Sequence, residues 1–398
     1  MLHRLRRTAF GLIGLALLSA SALAADVTTQ FHGGPQHLGA FAGAAPGNLI
    51  GFVWHRSLPN RVVASPVVAD GVLYIGDKGG NFFALDAKSG AVRWHVMADA
   101  GISSTAAVTP GAVFFQSDSN TITALRLSDG AVLWTRKTGA DLPWHNMPSV
   151  PDSSDWDYWT SSPLIAGTTL YIGSGDGNVY ALDTADGAIR WQFATKNRVR
   201  ATPAFDGRTV YAGSFDGTLY ALDAAKGTLR WSFKTKGNPY FPLGEIQSSP
   251  TVANGLVLFG SRDFNLYAVD AKTGKEAWHN LHEGSWVIST PAVADGRVIV
   301  GSSDGHFLRA VALKTGAELW SRPLATNALG SAAIAGDTVY IATTGGIVFG
   351  FHLQDGKPVT GLQFDDRSVS TPWIADGLLY SAMSDGRIDA LTNGTMPN

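Results

Sequence analysis

The sequence predicts an all-β protein, an eight-bladed β-propeller whose blades are four-stranded antiparallel sheets. Six tryptophans each lie four residues after a glycine, and where no insertion intervenes they repeat at roughly forty-residue intervals, the period of a propeller blade. Asp-Gly and Asn-Gly pairs separate short apolar runs, as tight β-hairpins require. Long helical patterns are absent after residue 24. The six tryptophans are Trp94, Trp134, Trp191, Trp231, Trp278 and Trp320.

The repeating unit is clearest between residues 65 and 94. Ser65 and Pro66 open a first strand, a turn follows at residues 70–71, and residues 72–75 form a second strand. A turn at 76–80, a third strand at 81–85 and a turn at 86–90 lead into the fourth strand, which starts at 91–94. Each unit is therefore expected to hold four antiparallel strands.

Eight such units follow one another along the chain. They cover residues 65–94, 104–134, 161–191, 201–231, 248–278, 289–320, 331–360 and a last unit from 370. The last unit ends after its third strand, near Leu391, whereas Trp54 closes an isolated strand at 49–54. We therefore expect this N-terminal strand to complete the last blade, which removes the exposed edges of an open array.

The first 24 residues have the pattern of a secretory signal. Basic residues precede a short apolar run, and small residues follow at 22–24. We expect a signal at 1–24, a lead-in segment at 25–47 and a single propeller domain at 48–398; Arg6 and Arg7 leave Sec and twin-arginine export both open. With no cysteine, we expect a soluble periplasmic or secreted protein without a lipid anchor, disulfides or thiolate metal sites.

Composition excludes one class of partner. The formal net charge is −2 and 16% of residues are charged, whereas nucleic-acid-binding proteins usually carry a clustered positive excess. We expect no nucleic-acid partner, and no integral membrane segment once the signal is removed.

The regular spacing of the repeated residues has a structural explanation. We expect tryptophans to pack between neighbouring blades, because one reason must account for every copy. The docking set is Trp54, Trp94, Trp134, Trp191, Trp231, Trp278 and Trp320. Repeated aspartates at the third turn are expected to accept hydrogen bonds from following amides. They are Asp86, Asp183, Asp223 and Asp270.

Insertions between units are the better candidates for function, because the repeat does not explain them. The long one spans 137–160, and shorter ones occupy 238–245 and 282–286. Connections from fourth to first strands share one face of a propeller, so we expect these segments to form a common rim, with Arg198 and Arg200 beside it. The candidate binding residues are Trp144, His145, Asp155, Trp156, Asp157, Tyr158, Trp159, Arg198, Arg200, Tyr240, Phe241, Glu245 and Trp286. Alternatively, the long insertion folds over the channel and buries its own rings.

The segments at 84–94, 181–191 and 221–231, with a variant at 268–278, carry the pattern Ala-Leu-Asp-x-x-x-Gly-x-x-x-Trp. This pattern resembles the tryptophan-docking motif of the pyrroloquinoline quinone (PQQ) repeat propellers, and residues 31–39 resemble the segment before their first strand. The resemblance implies the eight-bladed fold. It covers both quinoprotein alcohol dehydrogenases and a periplasmic propeller that assists outer-membrane β-barrel assembly, so it names no ligand.

Enzymatic readings have weaker support. A quinoprotein would need a divalent cation set, a catalytic Asp and basic groups for the quinone, and the vicinal disulfide of many relatives is impossible here. Calcium at Asp152, Asp155 and Asp157, and zinc at His145 and His282, remain open. So does a carboxylate pair of Glu245 with Asp155. We therefore expect no catalytic residue, no cofactor and no bound metal, and a protein-binding or scaffolding module for a polypeptide or another envelope component. The alternative is a PQQ- or metal-dependent oxidoreductase, or another small-ligand enzyme.

Overall fold

Eight sheets surround a central channel, seven of four strands and one of five, which confirms the predicted eight-bladed propeller. The computed structural model describes residues 29–143, 157 and 159–394. The predicted signal and most of the long insertion lie outside these residues. A short 3-10 helix, Phe31–Gly33, precedes the strands.

The strands follow one another in the predicted order within each blade. Before the first blade lie β1 (Ala40–Phe41) and β2 (Gly51–Ser57). Blades one to four contain β3 (Val67–Ala69), β4 (Val72–Gly76), β5 (Asn81–Asp86) and β6 (Val92–Met97); β7 (Ala107–Val108), β8 (Ala112–Gln116), β9 (Thr121–Arg126) and β10 (Val132–Lys137); β11 (Leu164–Ala166), β12 (Thr169–Gly173), β13 (Asn178–Asp183) and β14 (Ile189–Ala194); β15 (Ala204–Phe205), β16 (Thr209–Gly213), β17 (Thr218–Asp223) and β18 (Leu229–Lys234).

Blades five to eight repeat the same arrangement. They contain β19 (Thr251–Ala253), β20 (Leu256–Gly260), β21 (Asn265–Asp270) and β22 (Glu276–Leu281); β23 (Ala292–Ala294), β24 (Arg297–Gly301), β25 (Phe307–Ala312) and β26 (Glu318–Pro323); β27 (Ala333–Ala335), β28 (Thr338–Ala342), β29 (Ile347–His352) and β30 (Pro358–Gln363); β31 (Trp373–Ala375), β32 (Leu378–Ala382) and β33 (Arg387–Thr392).

The last blade is completed by the N-terminal strand β2. Trp54 pairs with Ala390 and Arg56 pairs with Ile388 in antiparallel register, so β2 forms the outer strand of the sheet β2-β33-β32-β31. The predicted closure between the two ends of the chain is confirmed.

Burial follows the position of a strand within its blade. The second and third strands are buried, whereas the outer strand alternates; β14, for example, is buried at Trp191 and exposed at its neighbours. A register shift next to the tryptophan, between Ala181 and Leu182 in this blade, bends the outer strand. The bend recurs in all eight blades. The core therefore consists of the faces between neighbouring blades.

The seven docking tryptophans all make the same contact across a blade boundary. Each indole N–H donates to a backbone carbonyl in the third turn of the next blade, at 2.8 to 3.0 Å. Each ring also lies against a glycine of that turn. The acceptors are Ala87, Leu127, Thr184, Ala224, Ala271, Leu313 and Leu353.

The aspartates that open these turns cap them. Asp86 accepts from the amides of Lys88 and Ser89 at 3.2 and 3.0 Å, and it pairs with Arg93 at 2.8 Å. Hydrogen bonds from Arg93 and Ser89 lower the pKa of Asp86 to about 2. Asp183 and Asp223 likewise accept from a following amide and pair with an arginine, and Asp270 accepts from the amides of Lys272 and Thr273, so these carboxylates are engaged in local structure.

A ring of hydroxyl groups joins the first strands around the channel. In six blades the residue before the first-strand proline, or its equivalent, receives on its hydroxyl a hydrogen bond from a backbone N–H of the preceding blade. These six links measure 2.8 to 3.0 Å. The acceptors are Ser162, Thr202, Ser249, Ser331, Thr371 and Ser65.

The lead-in segment crosses the channel and contacts six blades in turn. Its backbone bonds to Val108 of blade two at Thr29, and the Gln30 side chain bonds to Ile165 of blade three. Carbonyls farther along accept from the first strands of blades four to seven. The donors are Phe205, Val252, Val293 and Ile334. Strand β1 then pairs in parallel with β27 as a fifth strand of blade seven.

Two buried histidines fix this crossing. His32 bonds to the carbonyls of His37 and Ala332 at 2.7 and 2.9 Å, and His37 bonds to the carbonyl of Pro250 at 2.9 Å. Both rings are completely enclosed, and burial lowers the pKa of His32 and brings that of His37 to about 3. His37 is therefore neutral near pH 7 and donates its single N–H to the carbonyl of Pro250. The two carbonyls at His32 can both accept at once only from a ring that carries both N–H protons.

Candidate functional site

Charged side chains converge where the connections between blades two to five meet the channel. These connections position most of them, and the turn between β20 and β21 of blade five positions Arg262. We call this set the channel mouth; it consists of Asp141, Asp157, Trp159, Arg198, Arg200, Glu245, Gln247 and Arg262.

Asp157 lies between two arginines of the connection after blade three. Its carboxylate accepts from Arg198 Nη1 at 2.9 Å and from Arg200 Nε at 2.9 Å, with Arg200 Nη2 at 2.8 Å. The side chains of Asp157 and Arg200 are only 5% and 7% exposed. Asp141 completes the group by pairing with Arg200. These contacts tie the end of the long insertion to blade three.

These ion pairs shift the pKa values of Arg200 and Asp141. Burial lowers the pKa of Arg200, but the carboxylates of Asp157 and Asp141 outweigh it and raise that pKa overall. Burial raises the pKa of Asp141, yet Arg200 and the Asn120 amide more than compensate and lower it. Asp141 and Arg200 therefore stay charged around neutral pH.

Arg262 occupies the adjoining wall of the channel mouth. Its guanidinium carbon lies 5.1 Å from the ring centre of Phe215, 6.0 Å from that of Phe241 and 5.0 Å from that of Trp286. Nη2 donates to Gln247 Oε1 at 2.8 Å. Burial lowers the pKa of Arg262, and the nearby carboxylates of Glu245 and Asp157 oppose that shift. Stacking on several rings suits a guanidinium, which is weakly hydrated.

Below the mouth, the hydroxyl ring encloses a cavity of about 60 Å³. Phe31 from the lead-in segment lines it together with Trp159, whose indole N–H donates to the carbonyl of Val63 across the channel at 3.1 Å. Such a volume accommodates a few water molecules, whereas pockets for small organic ligands span about 300 to 1,000 Å³.

The structure brings together seven of the predicted binding residues. Asp157, Trp159, Arg198 and Arg200 meet at the mouth, and Glu245 and Trp286 adjoin Arg262. Phe241 packs edge-on against Trp286 with ring centres 4.9 Å apart. Tyr240 instead points outward and is 76% exposed. Trp144, His145, Asp155, Trp156 and Tyr158 lie outside the described residues.

Sequence reasoning missed Arg262, Asp141 and Gln247. Arg262 does leave a signal, because the equivalent loop position holds Gly175, Phe215 or Ser303 in neighbouring blades. A buried arginine where the repeat has a small or apolar residue requires a local partner. Asp141 sits in the long insertion, which the repeat does not explain, and Gln247 occupies the position that Arg200 holds in the preceding connection.

The described residues of the channel mouth do not fit PQQ. The arginines that would hold its carboxylates are Arg198 and Arg200, and both already pair with Asp157. The cavity below them has room for water only. In the part of the chain that the structure describes, no group of three or more His, Asp or Glu side chains is placed to hold a metal ion. His282, the remaining zinc candidate within that part, is buried against Phe307, which brings its pKa to about 3.

Comparison with known proteins identifies relatives. The family described as "Outer membrane protein assembly factor BamB" matches residues 51–151, 144–280 and 239–393. Over 148 residues the chain is 26% identical to outer membrane protein assembly factor BamB of Yersinia pestis. That match covers 35% of each chain, so the chain spans about a third of the length of the curated relatives it matches.

Within the described residues, no helix has the length and apolar character needed to cross a membrane.

Two solved structures share the architecture. BamB from Moraxella catarrhalis superposes with a TM-score of 0.67 at 21% identity, covering 87% of this chain and 99% of that one. A quinohemoprotein alcohol dehydrogenase from Comamonas testosteroni gives a TM-score of 0.73 at 13% identity, covering 92% and 80%. At these identities the likeness shows the fold alone.

Proposed function

Because the chain belongs to the family of outer membrane protein assembly factor BamB, we propose that it is a non-catalytic periplasmic scaffold that binds a polypeptide of the cell envelope during outer-membrane assembly. The proposal includes export by a signal at residues 1–24, a lead-in segment at 25–47, a propeller domain at 48–398 and a product without a lipid anchor. Its support comes from family membership and from the channel mouth together.

The composition of the mouth favours protein binding over catalysis. Three carboxylates face three guanidinium groups, so the charges are balanced and mutually engaged. They are Asp141, Asp157, Glu245, Arg198, Arg200 and Arg262. None of these side chains is an unengaged acid or base of the kind that general acid–base catalysis requires.

One observation carries the proposal. Arg262, Trp286 and Phe241 pack together as a wall, and Tyr240, next to Phe241 in the connection after blade four, has 76% of its surface exposed. Tyr, Trp and Arg are the residues that dominate protein-protein binding energy. A ready-made wall beside an exposed ring costs little ordering entropy on binding.

Site-specific photo-crosslinking in cells tests this proposal. A photoreactive residue at position 240 is expected to crosslink to another outer-membrane assembly protein, identified by mass spectrometry. The matched control carries the same residue at Lys226, which is exposed in a third turn of blade four. Equal crosslinking from both positions, or none from position 240 in a folded and exported protein, would overturn the proposal.

A further inference from the structure

The boundary between blades one and two contains a cleft of about 320 Å³. Its walls are Val96 of β6 and Thr123 of β9, and its floor includes Phe115, which is fully buried. Asp99 and Lys137 stand at its edge. A ring needs far less space, since a cavity of about 150 Å³ takes up benzene.

Two other blade boundaries have aromatic side chains in the equivalent place. At the boundary of blades three and four, Phe193 of the outer strand packs against Tyr220 of the next blade, with ring centres 5.4 Å apart. The boundary of blades four and five repeats this with Phe233 and Tyr267, also at 5.4 Å. The cleft exists because the two equivalent residues are the much smaller Val96 and Thr123.

The tyrosines at the filled boundaries have a fixed hydroxyl partner. Tyr220 donates to Asp216 at 2.6 Å, and Tyr267 donates to Asp263 at 2.6 Å. In blade two, Ser119 stands at the position of that aspartate. Both members of the tyrosine–aspartate pair are therefore replaced at the same boundary.

A carboxylate nevertheless stands at this boundary, and it comes from blade one. Asp99 accepts from the hydroxyls of Ser117 at 2.7 Å and of Ser119 and Thr121 at 2.6 Å. Burial raises the pKa of Asp99, but these hydroxyl groups outweigh it and lower that pKa, so the group is ionised at neutral pH. A carboxylate offers about four acceptor sites, and the three hydroxyls leave one.

We propose that this cleft receives a tyrosine side chain from a partner polypeptide, with the ring between Val96 and Thr123 and the phenol O–H donating to Asp99. The inference rests on the proposed polypeptide-binding function. A neutral donor complements the anionic acceptor, whereas an acidic side chain is repelled and a purely aliphatic one leaves that acceptor unused. Met97 and Val132, 67% and 59% exposed, flank the entrance and offer apolar contact to the partner backbone.

Ligand-detected NMR on the full chain tests the proposal with two probes, N-acetyl-L-tyrosinamide and N-acetyl-L-phenylalaninamide. The tyrosine probe is expected to bind, and Thr123→Tyr, which restores the residue of blades three to five, should lower its affinity at least about tenfold. Thr228→Tyr makes the same change on an exposed turn and should leave binding intact. Asp99→Ala should reduce the tyrosine probe to the affinity of the phenylalanine probe.

A gain-of-site variant adds an independent arm. Tyr220→Thr empties the equivalent place beside Phe193 and Asp216 and should create a second site for the tyrosine probe. If Thr123→Tyr fails to fold by circular dichroism, Thr123→Leu replaces it as the filling variant. If the tyrosine probe still binds to a folded filling variant, or does not bind to the wild-type chain at millimolar concentration, the proposal is overturned. Crosslinking from position 240 is unaffected by either result, so the two proposals fail separately.

Discussion

The indole ring of Trp191 in blade three lies directly against the α-carbon of Gly227 in blade four. A β-carbon at Gly227 would stand 2.6 Å from the ring atoms Cδ2 and Cε3. The indole N–H of Trp191 also donates to Ala224 in the same turn at 2.9 Å. The glycine of each such turn thus leaves room for the tryptophan ring of the preceding blade.

Replacing this glycine should destabilise the protein by more than the cost of its backbone conformation. Gly227 has φ +68 and Gly296 has φ +69, but nothing lies within 4 Å of a β-carbon at Gly296. Gly296→Ala should cost about 1–2 kcal/mol for the left-handed conformation, and Gly227→Ala about 1–3 kcal/mol more for overpacking. Urea unfolding measures both, and equal losses would contradict the ring contact.

The hydroxyl ring should contribute measurably to stability. Thr202 Oγ1 accepts from the backbone N–H of Ser162 at 2.9 Å. Thr202→Val keeps the shape but leaves that buried donor without its acceptor, so we expect a loss of about 1–3 kcal/mol in the free energy of unfolding. Thr202→Ser retains the hydroxyl and is the matched control; a valine variant as stable as the serine variant would refute the role.

Removing the charge of Asp157 should loosen the channel mouth. Asp157→Asn weakens the contacts to Arg198 and Arg200, while Asp141 still pairs with Arg200. We expect a loss of about 1.5–3 kcal/mol, the range for hydrogen bonds to charged groups. Asp129→Asn disrupts an exposed pair with Arg126 and should cost at most about 1 kcal/mol. Thermal unfolding of both variants decides, and similar small losses would show that the mouth pairing is energetically neutral.

Asp389 should make the protein less stable above pH 6. Burial raises its pKa to about 6, although Arg387 donates to it at 2.7 Å. Between pH 4 and pH 6 the folded state binds the proton more tightly than the unfolded state, so the free energy of unfolding falls as pH rises through this window. Asp389→Asn should therefore stabilise at pH 7.5 by on the order of 2–3 kcal/mol, with the gain vanishing near pH 4. A gain independent of pH would exclude this cause.

The blade pattern was predictable because its determinants are local. Hairpin turns, strand lengths and the spacing to Trp191 all fall within one repeat. Trp54 identified the N-terminal strand as the fourth strand that the last blade lacks. Arg262 and its aromatic neighbours were not predictable, because Arg262 and Phe215 lie in hairpin turns of blades five and four, Trp286 lies in the connection after blade five, and only the folded ring of blades brings them together. The path of the lead-in segment was equally hidden, since its partners lie up to 300 residues away.

A circular array held only by contacts between adjacent repeats would come apart one sector at a time. Here one segment of about a dozen residues is hydrogen-bonded to six of the eight sectors. Unfolding one of those six sectors therefore also weakens the others, including those that it does not contact directly. The molecule should consequently lose its structure as a single cooperative unit, with a calorimetric enthalpy equal to the van't Hoff value.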